Sequence, residues 1–149
     1  YYKNNMSEQL KLENQICFPF YAISRKIVQL YTPYLNELNI TYPQYLVLLI
    51  LWENDNILVK EICEKLWLET NTVSPLLKTL HSKWLLERKQ TPENKKQVKI
   101  FLTQEWKDLK KSAEEIPAKL SQSTQIPEDT LKELHSNLWD LMESLEIKK

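Results

Sequence analysis

The positions of the apolar residues divide the chain into amphipathic segments. From Leu12 to about Leu38 they recur at α-helical spacing, which predicts one long helix or a kinked pair. Because proline is best tolerated in a first helical turn, Pro19 predicts that the regular helix begins close to Cys17. The next segment, NITYPQYLVLLILWEN, has a candidate cap at Thr41 and is otherwise almost wholly apolar, which is typical of a buried helix.

Two shorter helices and an extended region follow. ILVKEICEKLWL alternates charged and apolar residues at helical spacing, and ETNTVSPLLKTLHSKW opens with capping residues, so the pair forms a helix-turn-helix pattern. LLERKQ and QVKIFL are then predicted to form a two-stranded hairpin around the turn TPENKK. Thr103 is a candidate cap for a helix disturbed at Pro117, and Pro127 begins a last helix. The pattern predicts one mainly α domain with a small β-hairpin, an α+β fold spanning residues 1–149.

The composition excludes several common classes of protein. The 149 residues include no glycine, so the glycine-rich dinucleotide loop, the P-loop and the nucleophile elbow are all absent. Two histidines and two distant cysteines, Cys17 and Cys63, provide no zinc site of conventional spacing. We therefore expect no enzymatic activity, no metal and no cofactor. No apolar run approaches the length of a membrane span and no signal-peptide pattern opens the chain, which predicts a cytoplasmic protein with free thiols.

The charge is unevenly distributed. The formal net charge is zero, but residues 78–99 carry seven lysines and arginines against two glutamates, a net of +5 that the rest of the chain balances. A solvated charged hairpin is the simplest interpretation of this segment. The functional interpretation is a surface that binds nucleic acid.

A helix-turn-helix followed by a basic hairpin is the winged-helix arrangement, and the flanking helices resemble those of the MarR family of dimeric bacterial transcription regulators. LENQICFPFY, NITYPQYLVLLILWE and LWLETNTVSPLLKTL are similar to segments of its thiol-based, oxidant-sensing branch. The resemblance implies a winged helix-turn-helix at about residues 41–102. It also implies dimerisation helices at about residues 12–38 and 104–146.

The resemblance also implies roles for particular residues. Cys17 matches the oxidant-sensing cysteine, and Tyr31 and Tyr42 match tyrosines that hydrogen-bond it from the partner subunit of a homodimer. Cys63 matches no second, resolving cysteine. The implied chemistry is therefore oxidation of Cys17 by an organic hydroperoxide to a sulfenic acid, followed by a mixed disulfide with a low-molecular-weight thiol.

The implied partner is double-stranded DNA with a pseudopalindromic operator. The predicted recognition helix contains short hydrogen-bonding residues suited to bases or phosphates, and a lysine suited to phosphate. The hairpin contributes further basic residues. These candidates are Thr70, Asn71, Thr72, Ser74, Lys78, Arg88, Lys95 and Lys96. The resemblance also implies five departures from the family: Asn94 and Lys96 replace an aspartate and an arginine of the wing, and Asn71, Trp84 and Trp106 replace glycines.

The leading hypothesis is a homodimeric repressor that leaves its operator when Cys17 is oxidised. Three alternatives remain open: a regulator that responds to a small aromatic ligand, with Cys17 incidental; a thiol peroxidase; and a winged helix that serves only as a protein-interaction module. For Cys17 itself, the competing interpretation is a buried and inert thiol.

Overall fold

The computed structural model describes residues 6–91, 97–124 and 126–145, in two compact units, residues 1–42 and 43–149. The first unit contains the short helix α1 (Met6–Gln9), a 3₁₀ turn (Leu12–Asn14) and the long helix α2 (Cys17–Glu37). The start of α2 confirms the prediction made from Pro19. The helix continues through Pro33 and buries one described side chain, Leu35.

The second unit contains the helix-turn-helix, the hairpin and the C-terminal helices. Its elements are α3 (Tyr42–Glu53, whose first residue belongs to the first unit), β1 (Ile57–Leu58), α4 (Val59–Leu66), α5 (Thr70–Ser82), β2 (Leu86–Gln90), β3 (Val98–Leu102), α6 (Gln104–Asp108), α7 (Lys110–Ala113), α8 (Glu115–Thr124) and α9 (Glu128–Ser144). The mainly helical class with a small sheet is confirmed. The predicted turn at residues 92–96 lies outside the described residues.

One prediction was wrong: Ile57 and Leu58 do not belong to a helix. They form β1, which pairs antiparallel with β3 through Ile57 opposite Ile100 and Leu58 opposite Lys99, so the described sheet has three strands in the order β1-β3-β2. β2 pairs with β3 from Leu86 opposite Leu102 to Gln90 opposite Val98. A strand of two residues is specified by its distant partner, which the local pattern does not contain.

The core of the second unit forms where α3, the helix-turn-helix and β3 meet. As predicted, α3 is largely buried, and Val47 and Leu48 are fully so. Fully buried side chains of the other elements are Ile62, Val73, Leu77, Leu80 and Ile100. The recognition helix α5 is therefore held by one apolar face, which leaves its opposite face open to solvent.

The segment after Thr103 contains three short helices instead of one. Thr103 occupies the N-cap position of α6, but its hydroxyl donates to the Leu85 carbonyl at 3.4 Å and makes no capping bond. Pro117 has no N–H for the carbonyl of Ala113, four residues earlier, and α7 ends at Ala113. Pro127 stands at the N-cap of α9, which confirms the predicted start of the last helix.

Three helices end in the same left-handed turn, although the chain has no glycine. A residue one or two positions after each helix has positive φ: Asn39 at 53°, Trp67 at 53° and Trp84 at 61°. In each case the next amide donates to a carbonyl five residues back at 3.0 Å, which defines a Schellman motif: Ile40 to Leu35, Leu68 to Cys63 and Leu85 to Leu80. Asparagine tolerates this conformation, whereas tryptophan is strained in it.

We expect Trp84→Gly to stabilise the protein. Trp84 is 78 % exposed, so little packing is lost, while relief of the left-handed strain contributes about 1 kcal/mol. For a chain of this size the unfolding midpoint should rise by roughly 2–4 °C, measured by circular dichroism at fixed protomer concentration. Trp67→Gly relieves the same strain but removes a ring contact with Trp139, and should bring no such gain. An unchanged or lower midpoint for Trp84→Gly would contradict this account.

Candidate thiol site and nucleic-acid interface

Cys17 is the first residue of α2 and its side chain is exposed as a free thiol. The interpretation of a buried thiol is therefore wrong for Cys17 within this chain, whereas its reactivity stays a prediction. The first turn of α2 contains no acidic residue. Tyr21 lies one turn further along α2, and its hydroxyl accepts from Arg25 Nη1 at 3.1 Å; this pair was not predicted from the sequence.

Tyr31 and Tyr42 lie together, as the resemblance implied. Their ring centroids are 5.0 Å apart and the ring planes are inclined by 58°. Burial raises the pKa of both hydroxyls, and the neighbouring Tyr42 raises the pKa of Tyr31 further. Both phenols therefore keep their protons at neutral pH, so each remains able to donate a hydrogen bond to a sulfur atom.

Cys17 and Tyr31 belong to the same helix but are distant along it. They are separated by fourteen residues of α2, which corresponds to about 21 Å of helix axis. A hydrogen bond between the two side chains of one chain is therefore excluded. Any such bond has to join two copies of the chain.

The second cysteine lies between the two helices of the helix-turn-helix. Cys63 is buried on α4, and its Sγ lies 3.7 Å from Oγ1 of Thr70, the first residue of α5. It fills part of the core, as the amphipathic pattern predicted. Since it is enclosed, Cys63 is a poor competitor for an oxidant in solution.

The recognition helix presents a polar face. Asn71, Ser74 and Lys78 follow one another at intervals of three and four residues, opposite the buried face of α5. Asn71 and Lys78 are exposed and Ser74 is half-buried. The exposed Thr72 donates through Oγ1 to Asn71 Oδ1 at 3.3 Å, which orients one amide group of this face.

Side chains alternate along the strands of the hairpin, so neighbouring basic residues differ in their exposure to solvent. Arg88 is half-buried opposite Ile100, and its buried Nε has no hydrogen-bond partner among the described residues. The exposed Lys89 bonds Glu87 at 2.6 Å and lies 5.0 Å from the centre of the Phe101 ring. The alternation of β2 could have marked Lys89 as an outward cation. Asn94, Lys95 and Lys96, three residues singled out from the sequence, lie outside the described residues.

A cavity of about 300 Å³ lies within the second unit. Aromatic and aliphatic side chains of α3, among them Tyr45, Leu49 and Trp52, form one wall, and Lys110 and Pro117 contribute to the other. Across residues 6–91, 97–124 and 126–145, His, Cys, Asp and Glu form no group of three or more suited to a metal ion. In the same part of the chain no helix has the length and apolarity to cross a bilayer.

The recognition helix and the following hairpin define the winged-helix class of DNA-binding proteins. Comparison with known proteins identifies the family. The MarR family model matches residues 40–98, and the chain is 45% identical to the organic hydroperoxide resistance transcriptional regulator of Bacillus subtilis over 97% of this chain and 98% of that protein. The chain belongs to the MarR family, whose members are transcriptional regulators.

Two solved structures extend the likeness to the whole fold. Reduced AbfR bound to DNA, a Staphylococcus epidermidis protein, is 34% identical with a TM-score of 0.76, covering 93% of this chain and 96% of that one. Overoxidised AbfR bound to DNA is 33% identical with a TM-score of 0.76, covering 95% and 99% of the two chains. The winged-helix architecture inferred from the sequence is thus confirmed.

Proposed function

We propose that this MarR-family chain is a DNA-binding transcriptional regulator, a homodimeric repressor that leaves its operator when Cys17 is oxidised by an organic hydroperoxide. The observation that carries the proposal is the placement of an exposed thiol at the start of α2, with Tyr31 about 21 Å away along the axis of the same helix and Tyr42 beside Tyr31. A second chain, related by a two-fold axis, would bring its own Tyr31 and Tyr42 to that thiol. The B. subtilis relative, which carries organic hydroperoxide resistance in its name, supports the choice of oxidant.

Exposed apolar side chains support the homodimer. On α2 the exposed fractions include 43 % for Phe20, 52 % for Ile23 and 44 % for Ile27. Leu134 on α9 is 46 % exposed, and Leu145, the residue that follows α9, is 63 % exposed. Exposed apolar residues at helical spacing are typical of a helix face that a second copy covers.

The proposed chemistry takes two balanced steps. The Cys17 thiolate attacks a peroxide oxygen; the O–O bond breaks, an S–O bond forms, and the alkoxide released is protonated to an alcohol. The resulting sulfenic acid then condenses with a low-molecular-weight thiol, which gives a mixed disulfide and water. AbfR is described in complex with DNA in its overoxidised state, so a change at the sulfur alone need not release DNA. We therefore assign release to the bulkier mixed disulfide, which displaces Tyr31 and Tyr42 of the partner subunit.

On the DNA side, α5 is proposed to enter the major groove of each half-site of a pseudopalindrome. Asn71 and Ser74, together with Thr70 and Thr72 in the first turn, would reach bases or phosphates, and Lys78 would contact phosphate. The wing, with Arg88, Lys95 and Lys96, would follow the backbone. With DNA as its partner, the protein is proposed to act in the cytoplasm.

The DNA face is tested by Lys78→Ala. Fluorescence anisotropy on a palindromic duplex should show binding about fivefold weaker at moderate salt, because one phosphate contact per protomer is lost. The slope of log K against log salt should become shallower by about one per protomer, while sequence preference is retained. Lys132→Ala is the matched control, since Lys132 is exposed on α9, where its ammonium pairs with Glu128 at 2.7 Å. Equal effects of the two substitutions would contradict the assignment of α5, and failure of the unmodified protein to bind any duplex would contradict regulation through DNA.

The cavity beside α3 supports a second candidate, regulation by a small aromatic ligand. Its volume and its lining by Tyr45 and Trp52 are suited to an apolar ring. The charged lining residues Glu53, Glu114 and Lys110 give no preference for an anionic substituent. Such a regulator would leave DNA upon addition of the ligand, and Cys17→Ser would not alter that response.

A further inference from the structure

The C-terminal helix α9 meets the helix-turn-helix through a pair of tryptophans. The rings of Trp139 on α9 and Trp67 at the end of α4 have centroids 6.0 Å apart and planes inclined by 76°, a T-shaped contact. None of the described side chains of α9 is buried, so the helix has no apolar core of its own. The contact is therefore an attachment of α9 to the DNA-binding half.

Trp67 occupies a position that sets the geometry of the DNA-binding helices. It is the left-handed residue that ends α4, and its amide bonds the Cys63 and Glu64 carbonyls. Thr70, the first residue of the recognition helix, follows three positions later. Any rotation of the Trp67 peptide would therefore change the direction in which the chain enters α5.

The indole of Trp139 is itself oriented. Its Nε1–H donates to His135 Nε2 at 3.0 Å, one turn earlier on α9. Four residues separate donor and acceptor, so the bond holds the ring against its own helix and presents its edge or face to Trp67. A movement of α9 would therefore displace Trp67, because the fixed indole ring of Trp139 could not absorb that movement by rotating about its own side-chain bonds.

We propose that Trp67 and Trp139 are positioning residues, which transmit the position of the C-terminal helix to the recognition helix and thereby set DNA affinity. This inference rests on the proposed function, in which α9 is one of the dimerisation helices and oxidation of Cys17 rearranges the dimer. The ring pair couples that rearrangement to the turn before α5. Neither tryptophan is assigned a contact with DNA or with the thiol.

The test is a double-mutant cycle with Trp67→Gly, Trp139→Ala and both together. Each single variant should bind the duplex about fivefold more weakly in the reduced state, and the double variant no more weakly than either. The ratio of dissociation constants between mixed-disulfide and reduced protein should fall by a similar factor. Trp139→Phe, which keeps an aromatic ring, should retain most of the DNA affinity and most of the ratio of dissociation constants. Losses that multiply in the double variant would overturn the proposal.

The matched control is Leu134→Ala, because Leu134 and Trp139 lie on the same helix and are each 46 % exposed. If Leu134→Ala weakens DNA binding as much as Trp139→Ala, the effect comes from the dimer helix itself and the proposal fails. Hydrogen exchange supplies a measurement that needs no DNA: the amides of Thr72 and Val73 should exchange faster in Trp139→Ala than in the Leu134 variant. Unchanged exchange overturns the proposal, whereas a wild-type protein that binds no DNA contradicts only the proposed function.

Discussion

Cys17→Ser is expected to remain on its operator after treatment with an organic hydroperoxide and a small thiol that releases the unmodified protein. The serine hydroxyl occupies the same place at the start of α2 but forms neither a sulfenic acid nor a disulfide. We expect the unmodified dimer to lose affinity about 10- to 100-fold, the range of strong allosteric coupling, and the variant to lose none. Fluorescence anisotropy at fixed salt measures both, before and after one equivalent of hydroperoxide.

The chain contains its own control for this experiment. Cys63→Ser removes the other thiol, which is buried next to Thr70, and should respond to the oxidant as the unmodified protein does. A second arm omits the small thiol, and under that condition release should be incomplete. If Cys17→Ser is released as readily as the unmodified protein, Cys17 is not the sensor; if Cys63→Ser alone resists release, the sensing role belongs to Cys63.

Asp55→Ala is expected to destabilise the fold by about 2–3 kcal/mol, the largest stability effect that we predict. Asp55 lies between α3 and β1, where its Oδ1 accepts from the Leu102 amide at 2.8 Å and its Oδ2 bonds Lys107 Nζ at 2.7 Å. Leu102 is the last residue of β3 and is buried, so its amide would be left without this acceptor. The unfolding midpoint should fall by roughly 5–10 °C.

The effect should depend on pH. Burial raises the pKa of Asp55, but the hydrogen bond and charge of Lys107 and the amides of Leu102 and Asn56 outweigh it, so the pKa is lowered. A lowered folded-state pKa contributes stability above the unfolded value of about 4, and that stability is lost as the pH falls through the folded-state pKa. The difference in unfolding free energy between the two proteins should therefore shrink in acid.

Asp108→Ala provides the comparison for Asp55→Ala. It removes the same charge from α6, where Asp108 Oδ1 accepts a 2.9 Å bond from the exposed side chain of Gln104. We expect a change below about 0.5 kcal/mol. Equal destabilisation by both substitutions would mean that charge, and not the Leu102 bond, determines the effect.

The local sequence pattern predicted those features of the fold that are determined by residues close together in the chain. Pro19 located the start of α2, because proline suits a first turn, and the apolar run of α3 indicated a buried helix. Features that depend on distant residues were missed. Ile57 is a strand residue only because Ile100 pairs with it, and the Leu102 amide is satisfied by Asp55 from another part of the chain.

In the candidate site, too, features set by nearby residues were predicted and those set by distant residues were not. Cys17 could be placed at a helix N-terminus from its own segment, whereas the proximity of Tyr31 and Tyr42 was implied by family resemblance and not by spacing. Trp67 carried no signal of its left-handed backbone, because the residue type usually found there is glycine or asparagine. Trp106, at a place where the resemblance implies glycine, is buried, and its carbonyl accepts a 2.8 Å bond from Trp52 Nε1.

The strand order of the sheet bears on solubility at high concentration. β2 lies at one edge of the described β1-β3-β2 sheet, so one side of its backbone is open to pairing with a strand of another molecule. Three consecutive charged residues, Glu87, Arg88 and Lys89, lie along this edge. A second β2 strand added there would bring these charges together and desolvate them, so the charges that accompany the DNA-binding wing also protect the protein from edge-to-edge aggregation.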